Sequence, residues 1–233
     1  MTRYNPINYD FHRMVIFTIL AGTVVAIVGI SITLLAQYQL MGNLIFSQLP
    51  SNLGNYIRSP LAYIFNMGLI LTGICMLLAM YGLQQLHLNQ FSHTIALVGS
   101  AVGISIILMG IYPINYLFEH RLFSTTFLIS TLSLYCISLL GHINHKNICP
   151  TPLMIVSLLG VCCASVLAFM LNWDSLSFDP CPHGEQVPCV LTYLLWCQIH
   201  LVTIWCIILA LSIKKLARKS YHDSISAKLA VTW

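Results

Sequence analysis

A histidine in the middle of a long apolar run is the first residue of this sequence that demands a chemical explanation. His200 lies about ten residues into the segment 190–213, or about 15 Å along a helix, and the next charged residue is Lys214. An ionisable group at that depth in a membrane is costly, so it is a site hypothesis by default. Tyr193, Cys197 and His200 follow i, i+4, i+7 spacing and share a helical face. A neutral imidazole satisfied by a hydroxyl or carbonyl inside a helix bundle accounts for His200 equally well. Asn66, two turns into another apolar run, has four hydrogen-bonding sites to fill and is either a bridge between helices or a ligand group. Glu119, His120 and Arg121 stand in succession where an apolar run begins. They could serve a lipid headgroup, a proton or a helix cap, since a carboxylate near a helix N-terminus is favourable in itself.

The segment 172–189 gathers Asp174, Asp179, His183 and Glu185 with Cys181 and Cys189. Mixed O, N and S donors raise a metal, but no known ligand spacing is present and none is assigned. A Cys181–Cys189 disulfide fits a loop facing an oxidising compartment. His142 and His145 have one-turn spacing without a third ligand and read as interfacial polarity. There is no Walker loop, GxSxG, HExxH or CxxC, and His200 has no obvious axial counterpart for haem, so no cofactor is implied.

The elements that must position these residues follow from composition. Only 7% of the 233 residues are charged and 58% are hydrophobic, against ~25% charged in soluble domains. Such a chain cannot coat a water-facing surface, so lipid must be its solvent. The few basic residues give no nucleic-acid patch. A bilayer core of ~30 Å needs about 20 apolar helical residues, and six stretches meet this: 14–36, 60–83, 93–112, 121–141, 152–171 and 190–213. Backbone groups without water partners force each into a helix. The expected fold is therefore all-α, a polytopic compact bundle of six transmembrane helices forming a single domain over 1–233, with a short basic tail at 214–233. Short connections two–three, three–four and four–five predict antiparallel neighbours.

Six spans put eight of the ten basic residues on one side (Arg3, Arg13, Lys146, Lys214, Lys215, Arg218, Lys219 and Lys228) and leave Arg58 and Arg121 on the other. The positive-inside rule then makes both termini cytoplasmic, with the large loops 37–59 and 172–189 outside. Small-residue stripes, Gly99-xxx-Gly103 and Gly160, Ala164, Ala168, let helices approach closely. Packing within the bundle is their common use, with a homodimer or a place in a membrane complex as the other.

Pro60…Phe65-Asn66-x-Gly68 and Gly110-Ile-Tyr-Pro113…His120, in an order of six spans, resemble a bacterial membrane family known as domain of unknown function 998. More distantly the chain is similar to the eukaryotic Frag, DRAM and Sfk group, where a Ser- and Gly-containing segment precedes helix two and a histidine begins helix four. Ser51-Asn-Leu-Gly54 and His120 match those positions, whereas Leu195-Trp196 stands where that group carries Glu-Trp. The resemblance implies a six-helix fold, a bacterial inner membrane and an association with lipid handling, but supplies no reaction. The expectation is a lipid- or amphiphile-binding protein with an outward-opening cavity among helices two, three, four and six. His120 would mark its mouth, His200 its floor, and Asn66 and Glu119 its wall. A small-solute transporter and an intramembrane lipid-modifying enzyme with a histidine base are the alternatives.

Overall fold

The computed structural model describes residues 9–86, 88–178 and 190–231, with side chains from 11 to 218 within those ranges. Among them, six helices are long and apolar enough to cross a membrane. They are α1 (Tyr9–Met41), α2 (Ala62–Gln85), α3 (Gln90–Ile111), α4 (Leu117–Asn144), α5 (Thr151–Met170) and α6 (Val190–Val231). Each packs on its neighbours in sequence, and α6 returns to α1, so the six form a closed ring and a compact bundle.

Local chemistry sets the helix ends. Asn89 caps α3: its Oδ1 accepts from Ser92 N at 2.7 Å, while Ser92 Oγ accepts from Asn89 N at 3.3 Å, a reciprocal box that occupies otherwise free donors. Pro150 and Pro152 open α5 where missing N–H groups leave nothing unsatisfied. Gly42, at φ +58°, ends α1 in the left-handed conformation that glycine alone adopts without strain. Several hydroxyls inside the bundle find partners on their own helices: Thr33, Thr131 and Ser138 each donate to the carbonyl four residues earlier.

Several helices outrun the expected spans: α1 starts at Tyr9 rather than 14, and α4 covers Leu117–Asn144 rather than 121–141. α1 runs past residue 36 to Met41, and α6 does not stop at residue 213 but continues as helix through the basic tail to Val231. Lys, Arg, Ala and Leu are good helix formers, so the end of an apolar run is not the end of a helix. The 37–59 connection is also more ordered than a loop. Two 3-10 turns, Gly42–Ser47 and Pro50–Gly54, fold back onto the bundle and bury Ile45 and Leu53 against Phe65. After α5 a short antiparallel hairpin pairs β1 (Leu171–Asn172) with β2 (Ser177–Phe178).

The glycine stripe of α3 works inside the bundle. A methyl on Gly73 of α2 would lie 2.7 Å from the Gly103 carbonyl, and one on Gly110 would lie 2.7 Å from the Asn66 carbonyl. The α2 and α3 backbones therefore approach as closely as small residues allow. In the half of the ring nearest the helix two–three turn, large side chains fill the centre. Met80, Leu83, Ile95, Tyr135, Trp205 and Leu209 are fully buried, and Trp205 Nε1 donates to Ser138 Oγ at 3.1 Å. In the other half they do not meet.

Candidate functional site: a cavity in one half of the ring

That second half encloses a cavity of about 800 Å³, within the ~300–1,000 Å³ of small-molecule sites. Its wall is mostly apolar and comes from every helix of the ring. On α6 the lining runs from Leu191 to Cys206, about 22 Å at 1.5 Å per residue. That exceeds the depth of one leaflet, about half of a ~30 Å hydrocarbon core. The folded-back turns contribute Ser47 to Asn52, so the first connection is part of the wall. Exposed lining residues Ile57, Arg58, Asn115 and Leu117 mark the opening at the loop end of the bundle. There the two neighbouring connections are tied together: Tyr56 N donates to Asn115 Oδ1 at 3.1 Å, and Asn115 Nδ2 donates to Asn55 Oδ1 at 3.2 Å.

His120 lines this cavity from the first turns of α4, with Arg121, Ser124 and Thr125 beside it. Its Nδ1 lies 3.0 Å from the Tyr112 carbonyl. A carbonyl only accepts, so Nδ1 carries the proton and Nε2 is the acceptor of the neutral ring.

The other expected site residues fall elsewhere. His200 is exposed on the outer face of α6, edge-on to Trp196 with ring centroids 6.4 Å apart. The expectation that it forms the cavity floor is corrected. Gln198 and Ile199 line the cavity instead, because two residues along a helix turn the side chain through about 200°. Asn66 is buried behind the wall, where its Nδ2 donates to the Gly54 carbonyl at 3.0 Å; it seats the Pro50–Gly54 turn against α2. Glu119 is half-buried and is not a lining residue. Asp174 is exposed in the hairpin turn, where its N–H donates to Asn172 Oδ1. His142 Nδ1 meets the Cys149 carbonyl at 2.8 Å, and His145 stacks on Phe91, so both hold the α4–α5 turn. Cys181 and Cys189, with Asp179, His183 and Glu185, lie outside the described residues.

Of the expected site residues only His120 lines the cavity; among the polar lining residues that the sequence does not single out are Arg58, Gln48 and Gln198. Arg58 had a signal, being one of only two basic residues on its side. Gln48 and Gln198 have almost none, because an isolated amide, in a loop or in an apolar run, carries no spacing pattern. Gln198 Nε2 donates to Thr131 Oγ1 at 2.9 Å. Thr131 has already given its own proton to the Phe127 carbonyl at 2.8 Å, so Gln198 must present its NH₂. Its Oε1 is left buried and without a partner.

No family model, curated protein or solved structure matches the chain.

Proposed function

We propose that this integral membrane protein binds a lipid or other amphiphile in the cavity, with the mouth facing away from the cytoplasm. The observation that carries the reading is the cavity's form: deep within a ring of six helices and walled mostly by apolar side chains, with only isolated threonines and Gln198 below its opening. Apolar walls at that depth give nothing to a hydrated solute, whereas an acyl chain entering them leaves water or detergent at no polar cost. The resemblance to the domain of unknown function 998 family supports the same reading, as does the basic bias of eight against two, which favours cytoplasmic termini in a bacterial inner membrane. A small-solute transporter would need a polar path through the end filled by Tyr135, Trp205 and Leu209. A lipid-modifying enzyme with His120 as base would need a nucleophile in hydrogen-bond reach, and among the described residues the His120 ring bonds only to the Tyr112 carbonyl.

Native mass spectrometry of the protein released from mild detergent tests the reading. Wild type is expected to retain one amphiphile, and Thr125→Trp, which fills the cavity from α4, to lose it while keeping its helical circular dichroism. Equal retention by both, or none by either, would contradict it.

A further inference from the structure

We infer that this protein pairs in the membrane with a second copy of itself, through the lipid-facing stripe of α6 that carries Tyr193, Cys197 and His200.

A lone chain leaves His200 in an unfavourable place. It lies about 15 Å along α6 from Val190, near the middle of a ~30 Å hydrocarbon core, and it is exposed on the outside of the ring. Among the described residues it makes no hydrogen bond. Its ring neighbour, Trp196, meets it edge-on with centroids 6.4 Å apart, and the Trp196 Nε1 donor is itself without a partner. Acyl chains offer neither donors nor acceptors, so both imidazole nitrogens would stand bare in lipid, which costs free energy. A lysine or arginine can extend its head toward the interface, but a ring one methylene from the backbone cannot.

Two more polar groups share its face. The exposed residues along the apolar part of α6 are Val190, Tyr193, Cys197, His200, Ile204 and Leu211, spaced so that they keep to one side of the helix. α1 and α5 pack on either flank, which narrows the stripe to about one residue per turn. That is the width of the seam along which two helices pack with a left-handed crossing. The middle of the stripe is polar, and its inner part, Ile204 and Leu211, is apolar.

A second copy supplies what the stripe lacks. A neutral imidazole has one donor and one acceptor, so one His200 ring donates to the other. Two copies inserted with the same topology bring His200 to the same depth, and a two-fold axis along the membrane normal sets each stripe residue beside its own counterpart. The Tyr193 hydroxyl also both donates and accepts. No charged residue lies between 190 and 211, so nothing on the stripe calls for a charged partner. Lipid provides no hydrophobic drive between helices, and hydrogen bonds of this kind help select one face over another.

Energy transfer between fluorescently labelled copies in liposomes, over a range of protein-to-lipid ratios, gives a dimer dissociation constant. Benzoylphenylalanine placed at Ile204, or at Ile129 as an exposed control on α4, reports which face is shared. Wild type is expected to dimerise. His200→Leu should raise the dissociation constant about three- to thirtyfold, the range for interhelical hydrogen bonds in membranes. His200→Asn, which retains a donor and an acceptor, should stay within about threefold of wild type. Photocrosslinked dimer should form from Ile204 and not from Ile129.

Wild type that stays monomeric at every ratio would overturn the pairing and leave the stripe to a different membrane protein. Dimers that His200→Leu leaves unchanged, or that crosslink from Ile129 rather than Ile204, would overturn α6 as the seam. Should a His200 variant fail to fold, the wild-type stoichiometry and the crosslinking pattern still decide. His200 and Ile204 do not line the cavity, so each of these outcomes is read separately from what the cavity holds.

Discussion

Gly54→Ala tests whether the Pro50–Gly54 turn is fastened to the bundle as a rigid wall of the cavity. An added methyl would collide with Asn66 Oδ1 and lie 3.1 Å from Phe65 Cδ1. Asn66 cannot retreat, because its backbone carbonyl is packed against Gly110 of α3, where even a methyl would stand 2.7 Å away. The amide must therefore rotate, breaking its 3.0 Å bond to the Gly54 carbonyl. Losing that bond removes about 0.5–1.5 kcal/mol, and orphaning a buried donor or acceptor adds about 1–3 kcal/mol. The expected destabilisation is about 2–4 kcal/mol, or roughly 5–15 °C in melting temperature for a chain of this size. A thermal-unfolding double-mutant cycle with Asn66→Ala reads the mechanism. Removing the amide removes the obstacle, so the penalty of Gly54→Ala should fall by at least about 1 kcal/mol in that background. Additivity within ~0.5 kcal/mol would refute the contact as the cause.

Gln198→Leu should be neutral or stabilising by up to about 2 kcal/mol in thermal unfolding, because it deletes a buried orphan acceptor along with a single hydrogen bond; a loss beyond ~2 kcal/mol would mean that Oε1 is satisfied. Cys149 is fully buried in the α4–α5 turn, and burial pushes its thiol up to about 12. At pH 8 its thiolate is then roughly one part in ten thousand, so maleimide should label it only after unfolding, and labelling of the folded protein would show the turn to be open. For orientation, an impermeant thiol reagent on intact cells should modify a cysteine placed at the exposed Ile57 and spare one at Asn147; the reverse pattern would invert the topology.

The bundle was legible in the sequence because lipid imposes a length and an apolar composition that six runs satisfy. The site was legible only in part. His120 could be found because it is polar where an apolar run begins, a position that must face either a loop or a lumen. His200 shows the limit of depth as a criterion. Depth along α6 says how far a residue is from water, but rotation about the helix axis decides whether it meets lumen or lipid. Every face of α6 is apolar enough for either. Asn66 is neither a ligand group on the cavity wall nor a bridge to another helix: its partner is the Gly54 carbonyl, and no spacing rule connects residues 54 and 66. The folded-back turns were missed because Ile45 and Leu53 are isolated apolar residues in a stretch whose Gly, Asn, Ser and Pro content reads as loop.

An experimental density map of the protein in a lipid nanodisc bears most directly on the central claim. An elongated density filling the cavity from its mouth inward along α6 is expected. A dry, empty lumen, or a continuous water-filled path past Tyr135 and Trp205 to the opposite end of the bundle, would contradict it.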